Sequence, residues 1–145
     1  MLRFLMLFIF VVPKRWTMND DSHKTFYICT RFFSIQPEAV SVFSIKGDIA
    51  ECVKNGAFLS HAKKFVVMFD SAVDMLGPNI EILTDILTEL GQKHVKYGVK
   101  LEYYPAMGIA LIEAVRNLDK QFTKATEIAW REVYNSISLD MSKAA

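Results

Sequence analysis

"LGQKHVKYGV", Leu90 to Val99, sets a histidine at the end of an amphipathic helix and a glycine turn directly after it. Counting back from His94 at helical spacing gives Leu90, Leu87, Ile86 and Leu83, one apolar stripe with the histidine as its last member. The spacing predicts that His94 points into the protein, where a partner must take its ring nitrogen.

Outward from that stretch the chain reads as helix after helix. Upstream, Phe58, Ala62, Phe65, Phe69, Ala72 and Leu76 alternate spacings of four and three, which predicts a helix of about five turns with one buried face. Gly77 and Pro78 then break the chain, and Ile80 to His94 forms the next helix. Before them, "NDDSHKTFYICTRFFSI" opens on residues suited to capping a helix and ends before Pro37, which can begin a new short turn. Downstream, Tyr104, Met107, Leu111, Ala114 or Val115, and Leu118 form a further stripe. In the last helix Thr123 is the N-cap, and Trp130, Val133, Ile137 and Met141 share one side. Trp130 and Tyr134 read as interhelical packing. No stretch alternates at period two for long enough to make a strand, so the fold class is all-α with six to eight helices.

The chain has 145 residues, 52% of them hydrophobic, enough for one domain with a real core. Seventeen basic and sixteen acidic side chains give a net charge of +1 without a basic tract, which gives no footing to nucleic acid as a partner. Cys29 and Cys52 form neither a disulfide framework nor a CxxC pair, so reduced thiols and a cytoplasmic location are expected. Residues 1–16 stand apart from the domain expected over residues 17–145. "MLRFLMLFIFVV" is an apolar run ended by "PKRW" and is too short to span a bilayer as a helix. Arg3 near its start suits a signal peptide, but no small-residue cleavage site follows, which leaves a buried first helix, an uncleaved membrane-associating segment or a mistaken start of the gene model.

Two of the three histidines share an unusual setting. His61 lies within the stripe of Phe58, Phe65 and Phe69, and His94 lies on the Leu83 to Leu90 stripe, so each imidazole is expected on the buried face of its own helix. An unpaired polar group costs a few kcal/mol to bury, which makes two such placements by chance expensive. His23 sits in a polar stretch and is expected to be exposed. His61, His94, Cys29 and Cys52 would supply four ligands for zinc, but not at the short paired spacings such sites use. No GxSxG elbow is present, neither cysteine carries a nucleophile motif, and the ExxH pairs of di-iron bundles are missing. What remains is haem, which needs one axial imidazole, an apolar slot and, optionally, a second imidazole opposite the first.

At this point "LGQKHVKYGVK", "FTKATEIAW" and "VYNSISLDMSKA" resemble the second half of a globin. "FLSHAKKFVVMFDSAVDML" resembles the globin helix that carries the distal histidine, and "FFSIQPEAVSVF" resembles the segment leading to the aromatic corner beside the haem. The resemblance runs from about Phe26 to Ala144 and is greatest to neuroglobin-like single-domain sequences. It implies a globin fold with an atypical first helix, which has lost its polar face, around haem b.

The resemblance also implies roles. His94 matches the proximal iron ligand, and its other nitrogen is expected on a backbone or hydroxyl acceptor. His61 matches the distal histidine, either donating a hydrogen bond to dioxygen or binding the iron itself. Phe43 matches the aromatic packed against the haem, Phe65 the residue pressing on its distal face, Lys64 a cation near a propionate, and Val99 an apolar contact after the proximal helix. One departure bears on the pocket: the gapless match to the tyrosine of many relatives is Cys29, so either the pocket holds a thiol or a local shift brings Tyr27 in. The implied function is reversible binding of dioxygen or another diatomic gas for storage, transport or sensing. The alternative is a nitric oxide dioxygenase or nitrite reductase served by a separate reductase, since no reductase domain is fused to this chain.

Overall fold

The structure is a computed structural model that describes residues 22–46, 49–52 and 54–145. The expectations for the apolar segment 1–16 and for the His23 side chain lie outside the described residues. Among the described residues the elements are α1 (Ser22–Ile35), a 310 helix (Pro37–Phe43), α2 (Ile49–Cys52), α3 (Gly56–Met75), α4 (Ile80–Lys96), α5 (Tyr103–Leu118) and α6 (Lys124–Ser142). They include no strand, as the lack of period-two alternation predicts. None of these helices is long and apolar enough to cross a membrane.

Each boundary has a local cause. Pro37 cannot donate a hydrogen bond, so it ends α1 and takes the first position of the 310 helix, where no donor is needed. Gly77 follows α3 with φ of 116° and Gly98 follows α4 with φ of 87°, both left-handed values that glycine alone adopts at no steric cost. The Thr123 hydroxyl accepts the backbone N–H of Thr126 at 3.1 Å and caps α6 as expected. The Asn55 side chain caps α3 in the same way, accepting from the Phe58 N–H at 2.9 Å. Replacing Asn55 by alanine is expected to cost about 1 kcal/mol, seen as a lower urea midpoint at unchanged slope. An unchanged midpoint would show that the cap contributes nothing.

The helices pack on one another as follows: α1 lies on α5, α5 on α6, α6 on α4, and α3 on α1. Phe33, Ile28, Leu111, Val115 and Trp130 are among the most deeply buried side chains. Trp130 stacks on Phe69 with ring centres 5.6 Å apart and an interplanar angle of 14°, which joins α6 to α3. The Tyr134 hydroxyl donates to the Tyr104 carbonyl at 2.6 Å, and a methyl group at Gly108 would come within 2.7 Å of its ring. Both aromatics are interhelical packing, as the sequence predicts.

Two expected stripes need correction. On α5 the buried set is Tyr103, Ala106, Ala110, Leu111, Ile112, Ala114 and Val115, while Leu118 is exposed and Tyr104 and Met107 are half-buried. This helix lies between α1 and α6, so burial spreads over more than one face and a single stripe no longer describes it. On α4, Leu83 and Leu87 are buried but Ile86 is 37% exposed, because it sits at the edge of the stripe, about 100° round the helix from Leu87.

Candidate functional site

His94 lies in the last turn of α4, and its Nδ1 is 2.8 Å from the Leu90 carbonyl oxygen one turn earlier. A carbonyl can only accept, so the neutral ring carries its proton on Nδ1 and leaves Nε2 with a free lone pair. The backbone thus fixes both the tautomer and the ring orientation, as supporting contacts do for metal-ligating imidazoles. The turn that follows closes on the same residue: the N–H groups of Tyr97 and Val99 both reach the His94 carbonyl, at 3.1 and 3.0 Å. The left-handed Gly98 makes that reversal possible and leaves Val99 half-buried against the core.

Across from it, on α3, stands His61. The two imidazole centres are 6.2 Å apart and their planes are tilted by 58°. By surface exposure His61 is exposed and His94 half-buried. They face each other from α3 and α4. The surroundings still disfavour charge, since burial first, then His94 and then Lys64, hold the His61 pKa below the ordinary imidazole value. His61 is therefore neutral at neutral pH, the form with a lone pair to offer.

Phe43 forms the wall beside His61, with ring centres 5.2 Å apart. It is held edge-on by Phe58 at 5.5 Å and by Phe33 at 6.1 Å, each at 89°. Phe58 is expected on the buried stripe of α3, whereas Phe33 is not singled out by the sequence, although the aromatic density of "RFF" carries the signal. Phe65, half-buried one turn beyond His61, faces Phe69 with ring centres 6.0 Å apart. Lys64 is exposed and close enough for its charge to act on His61. Lys100, also unsignalled by the sequence, lies over the Tyr103 ring at 5.8 Å. A shallow hollow beside Lys63, Lys64, Val67 and Met68 belongs to the surface of α3 alone and holds none of these groups except Lys64.

Cys29 and Cys52 are both buried and free, and burial, with Cys52 adding to it, pushes the Cys29 pKa up to about 12. Among the described residues no group of three or more His, Cys, Asp or Glu side chains could hold a metal ion, so the four-ligand zinc reading fails. Tyr27 is tied elsewhere: its hydroxyl accepts a hydrogen bond from the Asn117 amide on α5.

The residues present fit haem. Two imidazoles on opposite sides of one metal atom, each at the usual metal–nitrogen distance of about 2 Å, have ring centres about 6 Å apart. The observed 6.2 Å meets that requirement, with Nε2 of His94 free and an aromatic wall alongside.

Comparison with known proteins agrees. The family model for Globin matches residues 27–141. Neuroglobin of Danio rerio is 30% identical over 118 residues, covering 79% of this chain and 74% of the relative, and neuroglobin of Tetraodon nigroviridis is 29% identical over the same shares. Among solved structures, the hexa-coordinate hemoglobin of Drosophila melanogaster superposes with a TM-score of 0.83 at 18% identity, over 99% of this chain and 94% of that one. Shortfin mako hemoglobin gives 0.70 at 21%, over 85% and 84%. At those identities the structures speak for the fold, while the family match and the neuroglobins speak for descent. With helices, facing histidines and family match in agreement, the chain belongs to the globin family, as a haem-binding globin similar to neuroglobin.

Proposed function

We propose that His94 and His61 would hold a haem b group between them, and that the chain binds dioxygen or another diatomic gas reversibly, with His61 as the side chain that the gas would have to displace. The observation carrying this reading is the ring pair itself, 6.2 Å apart, with His94 oriented through Nδ1 by the Leu90 carbonyl. When bound, the haem iron supplies one coordination position to which a small gas can add.

The chain's own residues set the terms of that exchange. His94 stays in place because the Leu90 carbonyl holds its far nitrogen. His61 has no such brace within its helix; its neutral ring either binds or swings free and donates a hydrogen bond to dioxygen. In this reading Phe43 and Phe65 would line the haem slot, Val99 would be an apolar contact on the proximal side, and Lys64 would offer its charge to a propionate. Two buried cysteines that form no disulfide support a reducing, cytoplasmic setting.

An oxygen titration of the reduced, haem-loaded protein tests the reading. The expected result is a spectral change that saturates with dioxygen and reverses when the gas is removed. Irreversible oxidation at the first exposure, with no reversible component, would contradict it.

A further inference from the structure

The face of α4 next to the histidine face is seated on the end of α6. A methyl group on Gly91 would lie within 2.9 Å of the Met141 Cα and closer still to its carbonyl oxygen, so only glycine allows this approach. Two turns earlier on the same face, the Thr84 hydroxyl donates to Asp140 Oδ2 at 3.2 Å. The obstacle at Gly91 is backbone in the last turn of α6 and not a rotatable side chain, so α4 and the end of α6 must part to admit a side chain.

Gly91 precedes His94 by three residues, which places the two directions about 60° apart around the helix. A helix pushed back along the Gly91 direction therefore carries His94 back from His61 by about half the displacement. The ring separation of 6.2 Å leaves no slack for a single atom bound on both sides. We propose that the seat of α4 on α6, made by Gly91 against Met141 and by Thr84 with Asp140, sets how far His94 reaches toward His61. Gly91 is thus a positioning residue for the balance between the closed, two-histidine state and the open state. This inference rests on the two-histidine reading above.

The test uses the full-length, haem-loaded protein and three variants, Gly91→Ala, Thr84→Val and Gln92→Ala. Two quantities are read: the absorption spectrum of the reduced, gas-free form and the rate of carbon monoxide binding. Gly91→Ala is expected to keep its haem band while its reduced spectrum moves from low-spin to high-spin, with carbon monoxide binding faster by about tenfold or more, the scale of effect that a 1 Å misplacement can have. Thr84→Val, which keeps the volume and removes the hydroxyl, is expected to shift both readouts the same way by less. Gln92→Ala raises helix propensity on an exposed position and should change neither.

Wild-type spectra and rates in both Gly91→Ala and Thr84→Val would overturn the proposal. Where Gly91→Ala does not fold, an unchanged Thr84→Val overturns it alone. A high-spin wild type that still binds haem would overturn this inference and the second-ligand role of His61 while leaving His94 as the haem ligand. A wild type without a haem band would remove the functional reading itself.

Discussion

His94→Ala is expected to abolish the haem absorption band of the purified protein or to weaken haem retention by more than about 100-fold, since the loss of a mere supporting contact costs 10 to 100-fold. The expectation rests on the one ring whose orientation is fixed by the backbone, through Nδ1 and the Leu90 carbonyl, with its other nitrogen left to bind. His94 is only half-buried, so the alanine chain should still fold, and its helical circular dichroism should match the wild type. Imidazole added to the solution should restore part of the band by taking the place of the missing ring. Unchanged haem content in His94→Ala would defeat the site assignment at once.

His61→Val is expected to act in the opposite sense. With no ring to displace, the apparent affinity for carbon monoxide rises by the inverse of the open fraction, about 10 to 100-fold when the open state is populated at 1 to 10%. Dioxygen should gain less, because the same substitution removes a hydrogen bond worth about 1.5 to 3 kcal/mol to a partly charged acceptor. The two gases thus separate the two roles of one side chain. Equal affinity of wild type and variant for carbon monoxide would mean that His61 does not compete for the iron.

The sequence made most of this visible wherever one physical cause acted alone. The stripes of α3 and α6, the break at Gly77 and Pro78, the 310 turn at Pro37 and the Thr123 cap all follow from local periodicity or local chemistry. His94 was legible because it ends an apolar stripe, and the acceptor for its second nitrogen was predicted in kind, though not as the Leu90 carbonyl. What stayed hidden depends on contacts far apart in the chain. The α5 stripe dissolved because that helix is covered on two sides, and the four-residue α2 is too short for any periodic signal. Gly91 read only as part of the approach to His94, since nothing local announces that Met141 lies against it, fifty residues away.

The absorption spectrum of the reduced, gas-free protein tests the central claim most directly. Two histidines on one iron predict the sharply resolved pair of visible bands of a low-spin, six-coordinate haem, collapsing to a single broad band in His61→Val. A single broad high-spin band in the wild type would show that the rings facing each other at 6.2 Å do not share a metal atom.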